Sequence, residues 1–237
     1  MKINSIVPQV ESVKKITFDE NSARKKFDSV AKYYFWIMGA LEIKPNNIAL
    51  KMINIKKGEK VLDLAFGTGW VLERIVQLVG TENITYGLDY SAGMKKVALN
   101  NLKKKGLDTS VELVTANVKQ MPYGDNNFDV IYVSFLLDLL SEEDISKALS
   151  EIKRVLKPDG RFMVVSMTKN GTGIYRVARR LYEWMYYKWP TILGYRTSCR
   201  PIYIENDLLR AGFKINDYCL TSIVGFMFPI AIIKAGK

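Results

Sequence analysis

Val61-Leu-Asp-Leu-Ala-Phe-Gly-Thr-Gly-Trp70 decides how this chain is read. An apolar run carrying one acid, Asp63, breaks into Gly67 and Gly69 with a single residue between them. Leu72, Ile75, Val76 and Val79 then recur at helical spacing. The pattern predicts a buried parallel strand, a tight turn and a helix. So little side-chain bulk in the turn lets a ligand lie on the backbone amides, at the positive end of the following helix. Asp63 cannot stay buried without a partner, and it is expected to accept hydrogen bonds from the loop amides, directly or through water. The plainer alternative is a tight strand-to-helix loop that binds nothing. Tyr86-Gly-Leu-Asp89 ends a second predicted strand in an acid, where sheets of this kind grip a ribose. The pair reads as a site for an adenosine-containing cofactor. A nicotinamide-type turn needs a third glycine where Arg74 and Ile75 stand, and no Gly-Lys-Ser/Thr follows as a P-loop requires.

Outward from this stretch the chain alternates. Strands are predicted over 60–65, Thr85–Asp89, Val111–Thr115, Phe128–Ser134 and 160–167, with helices over Trp70–Val79, 92–105 and 142–156. Ser141 and Asp144 have the spacing of a capping box. Lys157-Pro-Asp-Gly160 reads as a turn into the fifth strand. Upstream, residues 1–20 show little periodicity, and Phe27, Val30, Tyr34, Ile37 and Leu41 mark one helix face. Lys44-Pro-Asn-Asn47 is expected to break that helix before a short one over 48–53. Downstream, residues 172–201 are rich in Tyr, Trp and Arg, with Ile174, Val177, Leu181 and Met185 as a helical stripe. That segment reads as a lid over an apolar substrate, as an interfacial helix on anionic lipid, or as a helix packed on the sheet. A short helix over 205–211 closes at Gly212, and two apolar runs, 213–223 and 226–234, read as a hairpin at the sheet edge. The expected fold is α/β: a Rossmann-like, seven-stranded, mostly parallel sheet with a C-terminal antiparallel hairpin and helices on both faces. Residues 1–57 form an N-terminal helical lid segment, and 58–237 the main domain with its insertion at about 172–201.

Composition narrows the chemistry. The 237 residues contain no histidine, which removes histidine bases, histidine metal ligands and Ser-His-Asp triads. The two cysteines, Cys199 and Cys219, match no metal or redox spacing, so no metal is expected and a reducing compartment is. The formal net charge of +11 suits an anionic partner such as nucleic acid or a lipid surface, and equally a lysine-rich solvated surface. No signal peptide opens the sequence and no apolar run reaches spanning length, so a cytoplasmic protein, with peripheral membrane contact open, is expected.

Val61–Trp70 resembles the first motif of class I S-adenosylmethionine-dependent methyltransferases. Gly87-Leu-Asp89-Tyr-Ser-Ala-Gly-Met94 resembles the second motif of that family, and Thr115-Ala-Asn117-Val-Lys-Gln-Met-Pro122 its adenine-edge motif. Ile152-Lys-Arg-Val-Leu-Lys-Pro-Asp-Gly160 is similar to the family's approach to strand five. Within the family, Phe27-Asp-Ser-Val-Ala31, Tyr34 and Ala116-Asn117 look closest to the ubiquinone/menaquinone-biosynthesis C-methyltransferase group. Phe35 stands where that group has an acid, and Leu136–Leu139 replaces its Arg-Asn stretch. The resemblance implies S-adenosylmethionine as cofactor and S-adenosylhomocysteine as product. It implies a cofactor site of Asp63, Ala65, Gly67, Thr68, Gly69, Asp89, Tyr90, Met94, Asn117 and Val118. Ser134, at the end of the fourth predicted strand, reads either as facing the methionine part of the cofactor or as only ending the strand.

The expected reaction is methyl transfer to a small, lipophilic acceptor: a quinone, a phospholipid headgroup, or a small amine or thiol. A carbon or hydroxyl acceptor calls for a base, and Tyr33, Tyr34 and Asp138 are the catalytic candidates. Two alternatives stay open: an RNA or protein methyltransferase, with nucleic acid ranked below a small molecule, and an idle cofactor-binding fold. Sequence says nothing of the oligomeric state.

Overall fold

The computed structural model describes residues 20–34, 39–170, 177, 180, 199–223 and 228–237. Its strands are β1 (Val61–Leu64), β2 (Thr85–Asp89), β3 (Val111–Thr115), β4 (Phe128–Ser134), β5 (Leu156–Met167), β6 (Lys214–Ile223) and β7 (Phe228–Gly236). They form one sheet in the order β3-β2-β1-β4-β5-β7-β6, parallel from β3 to β5, with β7 antiparallel to both neighbours. The α-helices are α1 (Glu20–Val30), α2 (Ala40–Ile53), α3 (Trp70–Val79), α4 (Ala92–Lys103), α5 (Glu142–Val155) and α6 (Ile204–Arg210). The Rossmann-like sheet with its antiparallel C-terminal strands is the one expected.

Strand composition explains the order. In β1 all four residues are buried, because successive side chains enter different cores. Leu62 and Leu64 join Ile131, Val133 and the α5 residues Ile145, Leu149 and Ile152, whereas Val61 joins Val130, Ala49, Ile53 and Ile75. Ile230 to Ile233 of β7 are likewise fully buried, so this strand lies inside the sheet. Lys214 and Asp217 are exposed on β6, which forms the edge, where charge discourages further pairing.

Two expectations are corrected. Lys44-Pro-Asn-Asn47 does not break a helix, since Pro45 lies buried within α2. Its missing N–H costs a backbone bond, but Ala49, Leu50 and Ile53 bury on the sheet and hold the helix. The interruption comes earlier, after Val30. Lys157–Gly160 is an excursion within β5: Leu156 pairs with Phe128, and Arg161 with Val130. Most of the aromatic insertion at 172–201 lies outside the described residues, as do residues 1–19 and Ile37.

Candidate active site

The parallel strands end on a cavity beside β1 and β4, where strand order reverses and open α/β sheets bind ligands. Its floor is the glycine turn. Ala65, Gly67 and Gly69 all take positive φ, at 59°, 54° and 84°. Gly67 supplies bare backbone to the cavity wall beside Ala65, Phe66 and Thr68. Gly69 is the N-cap of α3 and does not line the cavity. A Cβ there would stand 3.1 Å from Ala98 Cβ, so its role is to seat the turn against α4.

Asp89 organises this turn. Its Oδ2 accepts from Gly67 N at 2.9 Å, and its Oδ1 accepts from Ser91 N at 2.8 Å. Burial pushes its carboxyl up to about 6, against the pull of those amides, with the Asp28 charge adding to the rise. Asp63 was expected to hold the loop amides, but the Gly67 amide goes to Asp89 instead. Asp63 is 2% exposed, and its Oδ2 has no hydrogen-bond partner among the described residues. Burial first, and the nearby Asp89 charge second, hold its carboxyl well above the usual carboxylate range. A buried, unpartnered acid on the wall suits a ligand that brings its own positive charge. S-adenosylmethionine carries both an ammonium and a sulfonium, so the residues present fit it.

Tyr90, Met94, Asn117 and Val118 line the cavity beyond Asp89, and Ser134 lines it at the end of β4. Above them sits α1, part of the segment read from sequence as a helical lid, whose Arg24 and Phe27 stand outside the predicted cofactor-site residues. Arg24 lies over the Tyr90 ring at 5.5 Å, and Phe27 reaches the wall. Asp28 Oδ1 accepts from the Ser91 hydroxyl at 2.5 Å and from Gly93 N at 2.8 Å, capping the start of α4.

The three catalytic candidates separate. Tyr34 lines the cavity, with its hydroxyl donating to Glu42 Oε1 at 3.0 Å. Tyr33 is 65% exposed and off the cavity wall. Asp138 is fully buried behind the wall, where its Oδ2 accepts from Met167 N at 3.0 Å. The Cys199 thiol is also hydrogen-bonded to Asp138, and burial lifts this carboxyl to about 7. The turn that carries Asp138 presents Leu136, Leu139 and Leu140 to the cavity instead.

Glu42 and Asn46 are wall residues that sequence reasoning missed. Asn46 Oδ1 accepts from both the Tyr132 and Ser134 hydroxyls, at 2.7 and 2.8 Å, which ties α2 to β4. Its Nδ2 donates to the Glu42 carbonyl at 2.9 Å. The i,i+4 spacing of the two was the available signal, hidden by placing a helix break at Pro45 between them. Among the described residues, no group of His, Cys, Asp and Glu could hold a metal.

Residues 15–193 match the ubiE/COQ5 methyltransferase family. The chain is similar to a ubiquinone/menaquinone biosynthesis C-methyltransferase of Hahella chejuensis, with 31% identity across 71% of this chain and 68% of the relative. It is similar to another of the same name from Francisella philomiragia, with 35% identity across 69% of this chain and 63% of that relative. The aligned stretch therefore spans about two thirds of each relative's length. Among solved structures, the fold is similar to Burkholderia thailandensis 1,6-didemethyltoxoflavin-N1-methyltransferase with bound 1,6-didemethyltoxoflavin and S-adenosylhomocysteine. That likeness has a TM-score of 0.65 and 16% identity over 98% of this chain and 93% of the other. With the matched family spanning the glycine turn, Asp89 and α1, the chain belongs to the ubiE/COQ5 methyltransferases and is an S-adenosylmethionine-dependent enzyme.

Proposed function

We propose that this enzyme methylates a ring carbon of a reduced, quinone-like, lipophilic acceptor. The observation that carries this reading is the wall beyond Ser134. There Phe27, Phe135, Leu136, Leu139 and Leu140 form an apolar surface, with Tyr34, Glu42 and Asn46 as polar groups among the described residues of the same wall. A flat ring with a hydroxyl suits such a wall, because its faces lie on hydrocarbon while its O–H finds an acceptor. Relatives named as ubiquinone/menaquinone C-methyltransferases support the same class.

In this reading Asp89 accepts from the ribose hydroxyls, and Tyr90, Met94, Asn117 and Val118 pack on adenine. Asp63, Gly67, Thr68 and Ser134 face the methionine portion. S-adenosylmethionine supplies a methyl whose bond to sulfur breaks with the electron pair left on sulfur, so the donor itself provides the driving force. The protein's work is alignment in a dry cavity and disposal of one proton. The α1 segment acts as a lid, and the substrate's apolar tail invites peripheral membrane contact. No helix among the described residues is long and apolar enough to cross a membrane.

The test is a methyl-labelled donor offered with a 2-prenyl-1,4-naphthalenediol, phosphatidylethanolamine vesicles, a small thiol, a small amine and total RNA. Label on a ring carbon of the diol is expected. Label on RNA or on the vesicle headgroup alone would replace this reading with that one. Binding of S-adenosylhomocysteine without turnover of any of the five would favour the idle fold.

A further inference from the structure

Among the described residues, the cavity wall holds few ionisable groups, and most are committed. Asp89 is bound to Gly67 and Ser91, Asp63 is buried beside it, and Arg24 lies over the Tyr90 ring. Asp138 and Tyr33 do not reach the wall. Tyr34 and Glu42 remain, joined by a 3.0 Å hydrogen bond on a wall that also carries Leu136, Leu139 and Leu140. Glu42 is also held from behind. Its carbonyl accepts from Asn46, which is itself fixed by hydroxyls of Tyr132 and Ser134 at the end of β4. One turn of α2 thus fixes an acid relative to the strand end that faces the cofactor.

The geometry points to Glu42 as the base of the reaction, with Tyr34 as its positioning residue. This assignment rests on the C-methylation reading. The acceptor hydroxyl gives its proton to the Glu42 carboxylate, and the ring carbon beside it forms the new bond to the methyl. The S–CH3 electron pair stays on sulfur. The hydrogen displaced from that ring carbon passes through solvent to the oxygen, restoring the aromatic hydroxyl. One proton is left on Glu42 and is released to water, which balances the lost sulfonium charge.

The groups facing Glu42 are Tyr34, Asp138 and Cys199. Burial lifts its carboxyl to about 7, the Tyr34 hydrogen bond pulls it down, and the Asp138 charge adds to the rise. A base poised near neutrality is well matched to removing a phenolic proton.

The experiment compares native enzyme, Glu42→Gln, Glu42→Asp and Tyr34→Phe. It measures S-adenosylhomocysteine affinity by calorimetry, turnover of the naphthalenediol across pH 5–9, and 13C NMR titration of carboxyl-labelled glutamate. Glu42→Gln should bind S-adenosylhomocysteine normally, lose roughly 100-fold or more in kcat, and lose the acid limb of the profile near pH 7. The same substitution should remove one carboxyl resonance titrating in that range. Glu42→Asp should restore part of the rate, and Tyr34→Phe should move the acid limb to higher pH. If Glu42→Gln turns the diol over at the native rate with the limb intact, the assignment falls and C-methylation stands. If native enzyme binds S-adenosylhomocysteine but methylates only a thiol or amine, C-methylation and the assignment fall together.

Discussion

Asp89 carries two duties that compete for the same oxygens. Its carboxylate holds Gly67 and Ser91, and in the proposed reading it also accepts from the ribose hydroxyls. Removing it costs ligand hydrogen bonds and loosens the turn, with hydrogen bonds to a charged group worth about 1.5–3 kcal/mol each. Asp89→Ala is therefore expected to weaken S-adenosylhomocysteine binding at least roughly 100-fold while the far-ultraviolet circular dichroism is unchanged. Calorimetric affinity equal to the native value would refute the ribose assignment. The pH dependence has a definite sign. With this carboxyl raised to about 6, protons compete with the ligand below that pH. Affinity should rise with pH up to about 6 and level off above it, falling about tenfold per unit on the acid side. In the sequence, Asp63 and Asp89 were both legible as site acids, but not the division of labour between them. Which acid meets the Gly67 amide depends on how β1 and β2 are placed across the sheet, and local spacing does not encode that.

At the scale of elements, α1 is a cover held by a specific latch. Asp28 meets Ser91 and Gly93 at the start of α4, while Arg24 and Phe27 extend over the cavity. The latch needs glycine at 93, because a Cβ there would lie 2.9 Å from the Asp28 Cα. Gly93→Ala pits two effects against each other. Within α4, alanine favours the helix by roughly 0.5–1 kcal/mol. Against α1, the contact is with backbone, so the whole helix must shift. We expect Gly93→Ala to keep or slightly raise the melting temperature while S-adenosylhomocysteine dissociates faster in stopped-flow measurements. An unchanged dissociation rate would show that α1 does not govern cofactor exit. Elements were the most readable level of the sequence. The five parallel strands and α3 to α5 came from period and caps, and Ser141 Oγ does accept from Asp144 N at 3.1 Å. The failure at Pro45 was one of context, since propensity alone predicts a break where packing on both β5 and β7 sustains a helix. That single error separated Glu42 from Asn46, and with them two polar residues of the cavity wall went unread.

For the whole molecule, stability should depend on pH in an unusual direction. Six of the described acids are raised by burial: Glu42 and Asp138 to about 7, Asp89 and Asp207 to about 6, and Asp63 and Glu205 also upward, Asp63 well above the usual carboxylate range. The native state binds protons at these groups more tightly than the unfolded chain, so stability is greatest below the ordinary carboxylate range and declines as pH rises through 6 and 7. Surface acids pull the other way. Glu151, Asp129 and Asp144 are lowered by Arg154, Lys157 and Lys119, and their contribution is lost only as pH falls below about 4. These pairs are partly exposed and individually weak. The net charge of +11 grows as acids are protonated, which adds repulsion at low pH. Between pH 5 and 8, however, the surface acids stay ionised and only the buried ones change state, so the buried set decides the slope there. A melting temperature that is highest near pH 5 and drops by several degrees toward pH 8 is the expected calorimetric result. Glu42→Gln with Asp138→Asn should flatten that slope, because an amide cannot ionise and the asparagine oxygen can still accept from Met167 N. A native slope of opposite sign, or one unaffected by the pair of substitutions, would mean that these carboxyls are not held protonated in the folded enzyme, and Glu42 would lose the neutral-range titration that suits it to the acceptor's proton.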